Sequence, residues 1–116
     1  MEHLRIDRER TAARIGRDIC TLCAPAYTRD AVAIRRYAYT PEYAATLAWF
    51  TRELEEIGFT VEQDPVGTLV ARNVPQGRPA FGLGSHCDSN RNGGPWDGTL
   101  GVVMALEIAR LDRELG

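Results

Sequence analysis

The sequence predicts an α/β fold in which three helices flank a partial mixed β-sheet of about three strands. Three observations carry this. A well-capped amphipathic helix spans residues 40–58, two short alternating runs follow it at 59–72, and a short apolar run at 80–84 leads through a glycine-rich turn into an apolar helix. The first helix comes before all of these, from residue 4 to about 22, with Ala12, Ile15, Ile19 and Leu22 at spacings of three and four. Cys20 and Cys23 close it. No second cysteine pair exists to complete a zinc cage, so they read as two buried thiols on neighbouring helix positions. Pro25 ends the helix. Residues 24–39 are expected to be irregular, with the adjacent arginines Arg35 and Arg36 read as solvated surface.

The second helix has a full set of boundary signals. Thr40 suits the N-cap, Pro41 the first helical position, and Gly58 the left-handed residue after the last turn. Tyr43, Leu47, Phe50, Leu54 and Ile57 form its apolar stripe, and Trp49 falls roughly opposite, as an exposed aromatic or one in want of a partner surface. Phe59 to Gln63 alternates as a strand, Asp64-Pro65 turns, and Val66 to Arg72 returns antiparallel. Asn73 to Pro79 is a loop. Ala80 to Gly84 is expected to be a buried central strand, apolar on both faces. The third helix runs from Leu100 to Leu115, and its nearly all-apolar first half should be covered on more than one side.

Composition narrows the function. The chain has 116 residues, a formal net charge of −2 and a pI near 5.7, which gives no general attraction to nucleic acid or to an anionic membrane. No apolar run reaches the length of a membrane span, and the mixed-charge start from Met1 to Arg10 lacks the apolar core of a secretory signal, so a cytoplasmic location is expected. All 14 basic residues are arginine, which excludes Schiff-base chemistry and a phosphate-loop lysine.

The chemistry is concentrated in Gly84 to Gly98. His86 and Asp88 follow the expected buried strand, where catalytic groups gather in open α/β sheets. Two residues apart in extended chain, they project to the same side. An imidazole that binds zinc commonly gives its other N–H to a carboxylate, and Asp88 is placed to do this for His86. The Asn92-Gly93-Gly94-Pro95 turn then returns Asp97 to the same place at the start of the third helix. Taken singly, each residue has a commoner role: a hydrogen-bonded structural histidine, a turn aspartate, a helix N-cap. Their combination around a glycine turn favours a metal site.

Gly-Ser-His-x-Asp-Ser followed by Asn-Gly-Gly-x-x-Asp-Gly-x-Leu-Gly-Val closely resembles the zinc-site segment of the hydantoinase/carbamoylase group, metal-dependent amidohydrolases of N-carbamoyl amino acids, allantoate and related ureido acids. Arg36 to Pro41, Glu56 to Phe59 and Asp64 to Gly67 extend the resemblance over roughly residues 33–115. Thr68 departs from it, standing where the group usually has Asn. The resemblance implies that His86 binds one metal ion, Asp97 bridges two, and Asp88 orients His86. It implies Zn²⁺ or Mn²⁺, two per complete site, and a small ureido or N-carbamoyl acid as substrate. It also implies a homodimer formed through a lid domain.

The group's Glu-Glu pair, its further histidine ligands and the lid have no counterpart here. The acids after Asp97 are Glu107, Asp112 and Glu114, none paired as Glu-Glu, and the other histidine is His3. A catalytic zinc takes three protein ligands and a water, so at least one ligand and the general base are lacking. Residues 1–116 are therefore read as the N-terminal portion of the catalytic domain, without the lid and dimerisation domain, a truncated chain inactive alone. The alternatives are an inactive remnant or interaction module, and a fragment of a related aminopeptidase or aminoacylase.

Overall fold

A computed structural model describes residues 5–30 and 32–116. His3 and Leu4 lie outside the described residues; the first helix, expected from residue 4, starts only at Arg8, because Asp7 caps it and Arg5 to Asp7 stay outside it. The element order is α1 (Arg8–Leu22), α2 (Pro41–Glu56), β1 (Thr60–Gln63), β2 (Leu69–Arg72) and α3 (Thr99–Leu115). The caps follow the local chemistry. Asp7 accepts the Arg10 amide at the start of α1, and Thr40 accepts that of Tyr43 at the start of α2, with Pro41 beside it. Gly58 takes φ +89° just past α2.

β1 and β2 pair antiparallel with Thr60 opposite Arg72 and Gln63 opposite Leu69. The turn is organised by Asp64. Its Oδ1 accepts the amides of Val66 at 3.0 Å and Thr68 at 2.8 Å, while Gly67 adopts φ +94°.

The mixed α/β class is as expected, but the sheet has two strands among the described residues and not about three. Ala80 to Gly84 lies outside any helix or strand, with Phe81 91% and Leu83 51% exposed. Apolar character brings a segment into a sheet only if neighbouring backbone groups can pair with it. The hairpin pairs within itself, and among the described residues no other strand lies alongside.

The core is formed by Ile19 and Leu22 of α1, Leu47, Trp49 and Phe50 of α2, Val103 and Leu106 of α3, and Cys87 from the loop before α3. Trp49 is buried, its ring edge-on to Phe50 with centroids 4.9 Å apart. The expectation of an exposed Trp49 fails because α2 touches both the hairpin and α3, so its covered face is wider than a single stripe. Conversely, α3 is covered on one side only: Val103 and Leu106 are buried, whereas Met104 and Ile108 are exposed. Cys20 and Cys23 are exposed as well, because α1 buries the face carrying Ile19 and Leu22 and the two thiols fall off that face.

Charged residues lock the three helices together. Arg110 of α3, 6% exposed, donates to Asp18 of α1 at 2.5 Å and to Glu53 of α2 at 2.6 Å. Arg14 of α1 donates to Glu107 at 2.5 Å and also pairs with Glu114. The second oxygen of Glu107 is buried and lies 3.7 Å from Arg110, beyond hydrogen-bond reach.

Candidate metal-binding loop

The loop from Ser85 to Gly98 is held against an extended segment at residues 34–36. Ile34 and Gly93 exchange both backbone hydrogen bonds, at 2.9 and 3.0 Å. Two residues further along, the Ser89 amide donates to the Arg36 carbonyl at 2.7 Å, and the Arg36 amide donates to Ser89 Oγ at 2.8 Å. Gly93 is required at its place, because a Cβ there would approach Ser89 Cβ to 2.8 Å.

Within this frame the three acid and imidazole side chains converge. Cys87 is buried in the core, while the side chains of His86 and Asp88 on either side of it are about half exposed. His86 Nδ1 lies 3.2 Å from Asp88 Oδ1 and 3.1 Å from the Asp88 carbonyl oxygen. His86 Nε2 faces Asp97 Oδ1 at 3.8 Å. One carboxylate therefore addresses each ring nitrogen, and all three side chains are about half exposed. Burial of the Cys87 thiol between them and the core pushes its pKa up to about 11.

Asp97 does not cap α3. Gly98 holds the N-cap position at φ +67° with no side-chain cap bond, and this leaves the Asp97 carboxylate free to face His86. Gly98 packs directly under the ring: a Cβ there would overlap His86 Cε1 and Nδ1. Ser85 Oγ donates to the Gly98 carbonyl at 2.9 Å, and a Cβ on Gly101 would come within 2.6 Å of that hydroxyl. The glycines of the motif are thus places where the loop and the first turn of α3 approach too closely for a side chain.

Arg36 is the residue that sequence reasoning missed. Read as solvated surface, it is 1% exposed, and burial lowers its pKa from the ordinary guanidinium value. Its Nε donates to the Tyr27 carbonyl at 2.6 Å and Nη2 to the Leu22 carbonyl at 2.5 Å. Nη1 donates to the Cys87 carbonyl at 3.0 Å and reaches Thr99 Oγ1 at 3.4 Å. Nothing in local periodicity distinguishes Arg36 from its neighbour Arg35; the only sign was its place in the segment that carries the family resemblance.

A neutral imidazole nitrogen beside a carboxylate is a donor pair suited to a divalent cation of the zinc type, with the second nitrogen fixed by Asp88. The pair falls one short of three protein ligands, and among the described residues no group of three or more His, Cys, Asp or Glu side chains is arranged to hold a metal ion. A groove of about 640 Å³ between α2 and the hairpin is lined by Tyr39, Tyr43, Leu47, Gln63 and Leu69 among others and includes none of the three. Its lining holds no carboxylate, imidazole or thiol, so chemistry and not concavity marks the candidate site.

The resemblance to the hydantoinase/carbamoylase group holds in both sequence and fold, over nine-tenths of the chain. An N-carbamoyl-L-amino-acid amidohydrolase of Paenarthrobacter aurescens is 37% identical over 107 residues, covering 90% of this chain and 26% of that protein. A hydantoinase/carbamoylase family amidase from Burkholderia ambifaria, known from its crystal structure, superposes with a TM-score of 0.79 at 31% identity, over 90% of this chain and 26% of that one. A ureidoglycolate hydrolase of Oryza sativa is 27% identical over 85 residues, 72% of this chain and 18% of that protein. No protein-family model matches. The chain spans about a quarter or less of these relatives.

Proposed function

We propose that this chain is one portion of a metal-dependent amidohydrolase that cleaves the C–N bond of N-carbamoyl or ureido amino acids. The observation that carries the reading is the convergence of His86, Asp88 and Asp97, with Asp88 on Nδ1 and Asp97 opposite Nε2. The relatives named for N-carbamoyl-L-amino acids and ureidoglycolate support the substrate class. In this reading His86 and Asp97 would hold Zn²⁺ or Mn²⁺. Asp88 holds the His86 tautomer that leaves Nε2 unprotonated. When bound, the metal supplies Lewis-acid polarisation and lowers the pKa of water. A general base and at least one more ligand come from sequence beyond these 116 residues, and the chain alone is catalytically silent.

The test joins this chain to the remaining three-quarters of a related carbamoylase. The fusion is assayed with Zn²⁺ or Mn²⁺ on N-carbamoyl amino acids and allantoate. Turnover that falls about 10–100-fold in Asp88→Asn supports the assignment, as does its loss in His86→Ala and Asp97→Ala. A folded fusion that turns over no ureido acid overturns it, and turnover of peptides or N-acyl amino acids alone would move the chain to the aminopeptidase or aminoacylase side.

A further inference from the structure

Arg36 combines features that are costly together. It is 1% exposed, and among the described residues no carboxylate pairs with it; its partners are three carbonyls and a hydroxyl. A buried cation held only by dipoles gains less than it would from an ion pair, and an apolar side chain of similar volume fills a core at lower cost. What an apolar residue lacks is a rigid fork of N–H donors aimed in several fixed directions.

Those directions join four pieces of chain. Nη2 ends on the last residue of α1, and Nε on the loop that follows it. Nη1 ends on the carbonyl of Cys87, the residue between His86 and Asp88, and on Thr99, two residues after Asp97. One nitrogen thus addresses both halves of the candidate site. The Arg36 main chain adds a second hold on the same loop through Ser89, whose amide and hydroxyl it binds at 2.7 and 2.8 Å.

We propose that Arg36 is a positioning residue: through Cys87, Ser89 and Thr99 it sets the separation between the His86–Asp88 pair and Asp97. Arg36 itself faces the core and touches neither ring nor carboxylate. Its effect is to fix the peptide from which His86 and Asp88 fan out relative to the first turn of α3. The geometric part of this inference stands on the structure alone; its consequence for metal affinity rests on the proposed metal-binding role of His86 and Asp97.

The experiment uses the full 116-residue chain, isotope-labelled, as wild type, Arg36→Lys, Ser89→Ala and Arg14→Met. Arg14 belongs to the helix-locking ion pairs and serves as a variant that weakens the fold away from the loop. The metal-free readout is the nuclear Overhauser contact between the His86 ring proton on Cε1 and the Gly98 α-protons, which the packing of Gly98 under the ring makes close. The second readout is the Kd for Zn²⁺, followed by titration on the same spectra.

Wild type and Arg14→Met should show the contact. Arg36→Lys and Ser89→Ala should weaken it several-fold while the remaining spectrum stays dispersed, and should raise Kd about tenfold, as loss of an orienting partner does. If Arg36→Lys does not fold, Ser89→Ala decides alone. An unchanged contact in a folded Arg36→Lys or Ser89→Ala overturns the proposal, as does equal weakening in Arg14→Met at matched loss of Tm. A wild type that shows the contact but binds no zinc leaves the positional claim standing, and Kd is then read on the fusion with the rest of a related carbamoylase, where equal affinity in wild type and Arg36→Lys overturns the consequence for metal binding.

Discussion

Gly98 shows how one residue type can be forced from two directions. Its φ of +67° is a left-handed conformation, and its α-carbon packs against the His86 ring, leaving no volume for a methyl group. Gly98→Ala should therefore cost about 1–3 kcal/mol for the backbone conformation alone. It should also displace His86 from Asp97. Urea unfolding gives the first effect and His86 ring shifts the second; a stable variant with unmoved shifts contradicts the packing. Cysteine chemistry separates the three thiols in the same way. Cys20 and Cys23 are exposed and Cys87 is buried with its pKa pushed up to about 11. Native protein at pH 8 should react with iodoacetamide at Cys20 and Cys23 and release Cys87 only on unfolding. The sign for stability follows from the same shift. A thiol that resists ionisation in the native state stabilises the fold below the unfolded thiol's pKa, and this contribution is lost as pH rises towards 11.

At the level of elements, ions join the three helices as much as apolar side chains do. Arg110 is the centre, reaching Asp18 and Glu53 on two other helices. Arg110→Ala leaves Asp18, 1% exposed, with only the solvent-facing Arg17 as ionic partner among the described residues, and should destabilise by about 3–5 kcal/mol in urea unfolding. A loss under 1 kcal/mol would mean that water reaches Asp18 and relieves its charge. The helices themselves were largely readable in the sequence, because caps and turn residues act within a few positions: Thr40, Pro41, Gly58 and Asp64 do locally what their types predict. The segment at 80–84 was not, because apolar character reports a wish to be covered and says nothing about whether a neighbour is present.

For the molecule as a whole, the site and the exposed apolar surface tell the same story. No helix among the described residues is long and apolar enough to cross a membrane. Phe81, Leu83, Met104 and Ile108 nevertheless face outward, on the loop leading to His86 and on the uncovered side of α3. The proposed donor set is open in the same sense, with two side chains, His86 and Asp97, where a catalytic zinc takes three. The isolated chain should accordingly bind Zn²⁺ more weakly than about 1 μM in calorimetry, and the fusion should bind it much more tightly and lose turnover on chelation. Micromolar or tighter binding by the isolated chain would show that the three groups suffice.

By itself the sequence determined the helices, the antiparallel hairpin, though its return strand starts at Leu69 and not at Val66, and the candidates His86, Asp88 and Asp97, since each depends on residue type, spacing and near neighbours. Tertiary structure alone decided that Trp49 is buried, that Cys20 and Cys23 are not, and that Ala80 to Gly84 stays outside a sheet. It also decided the place of Arg36, whose partners at Leu22, Tyr27, Cys87 and Thr99 lie up to 63 positions away. Local patterns encode which face of an element is apolar. What covers that face, and which carbonyls a guanidinium reaches once buried, is set only when distant segments meet.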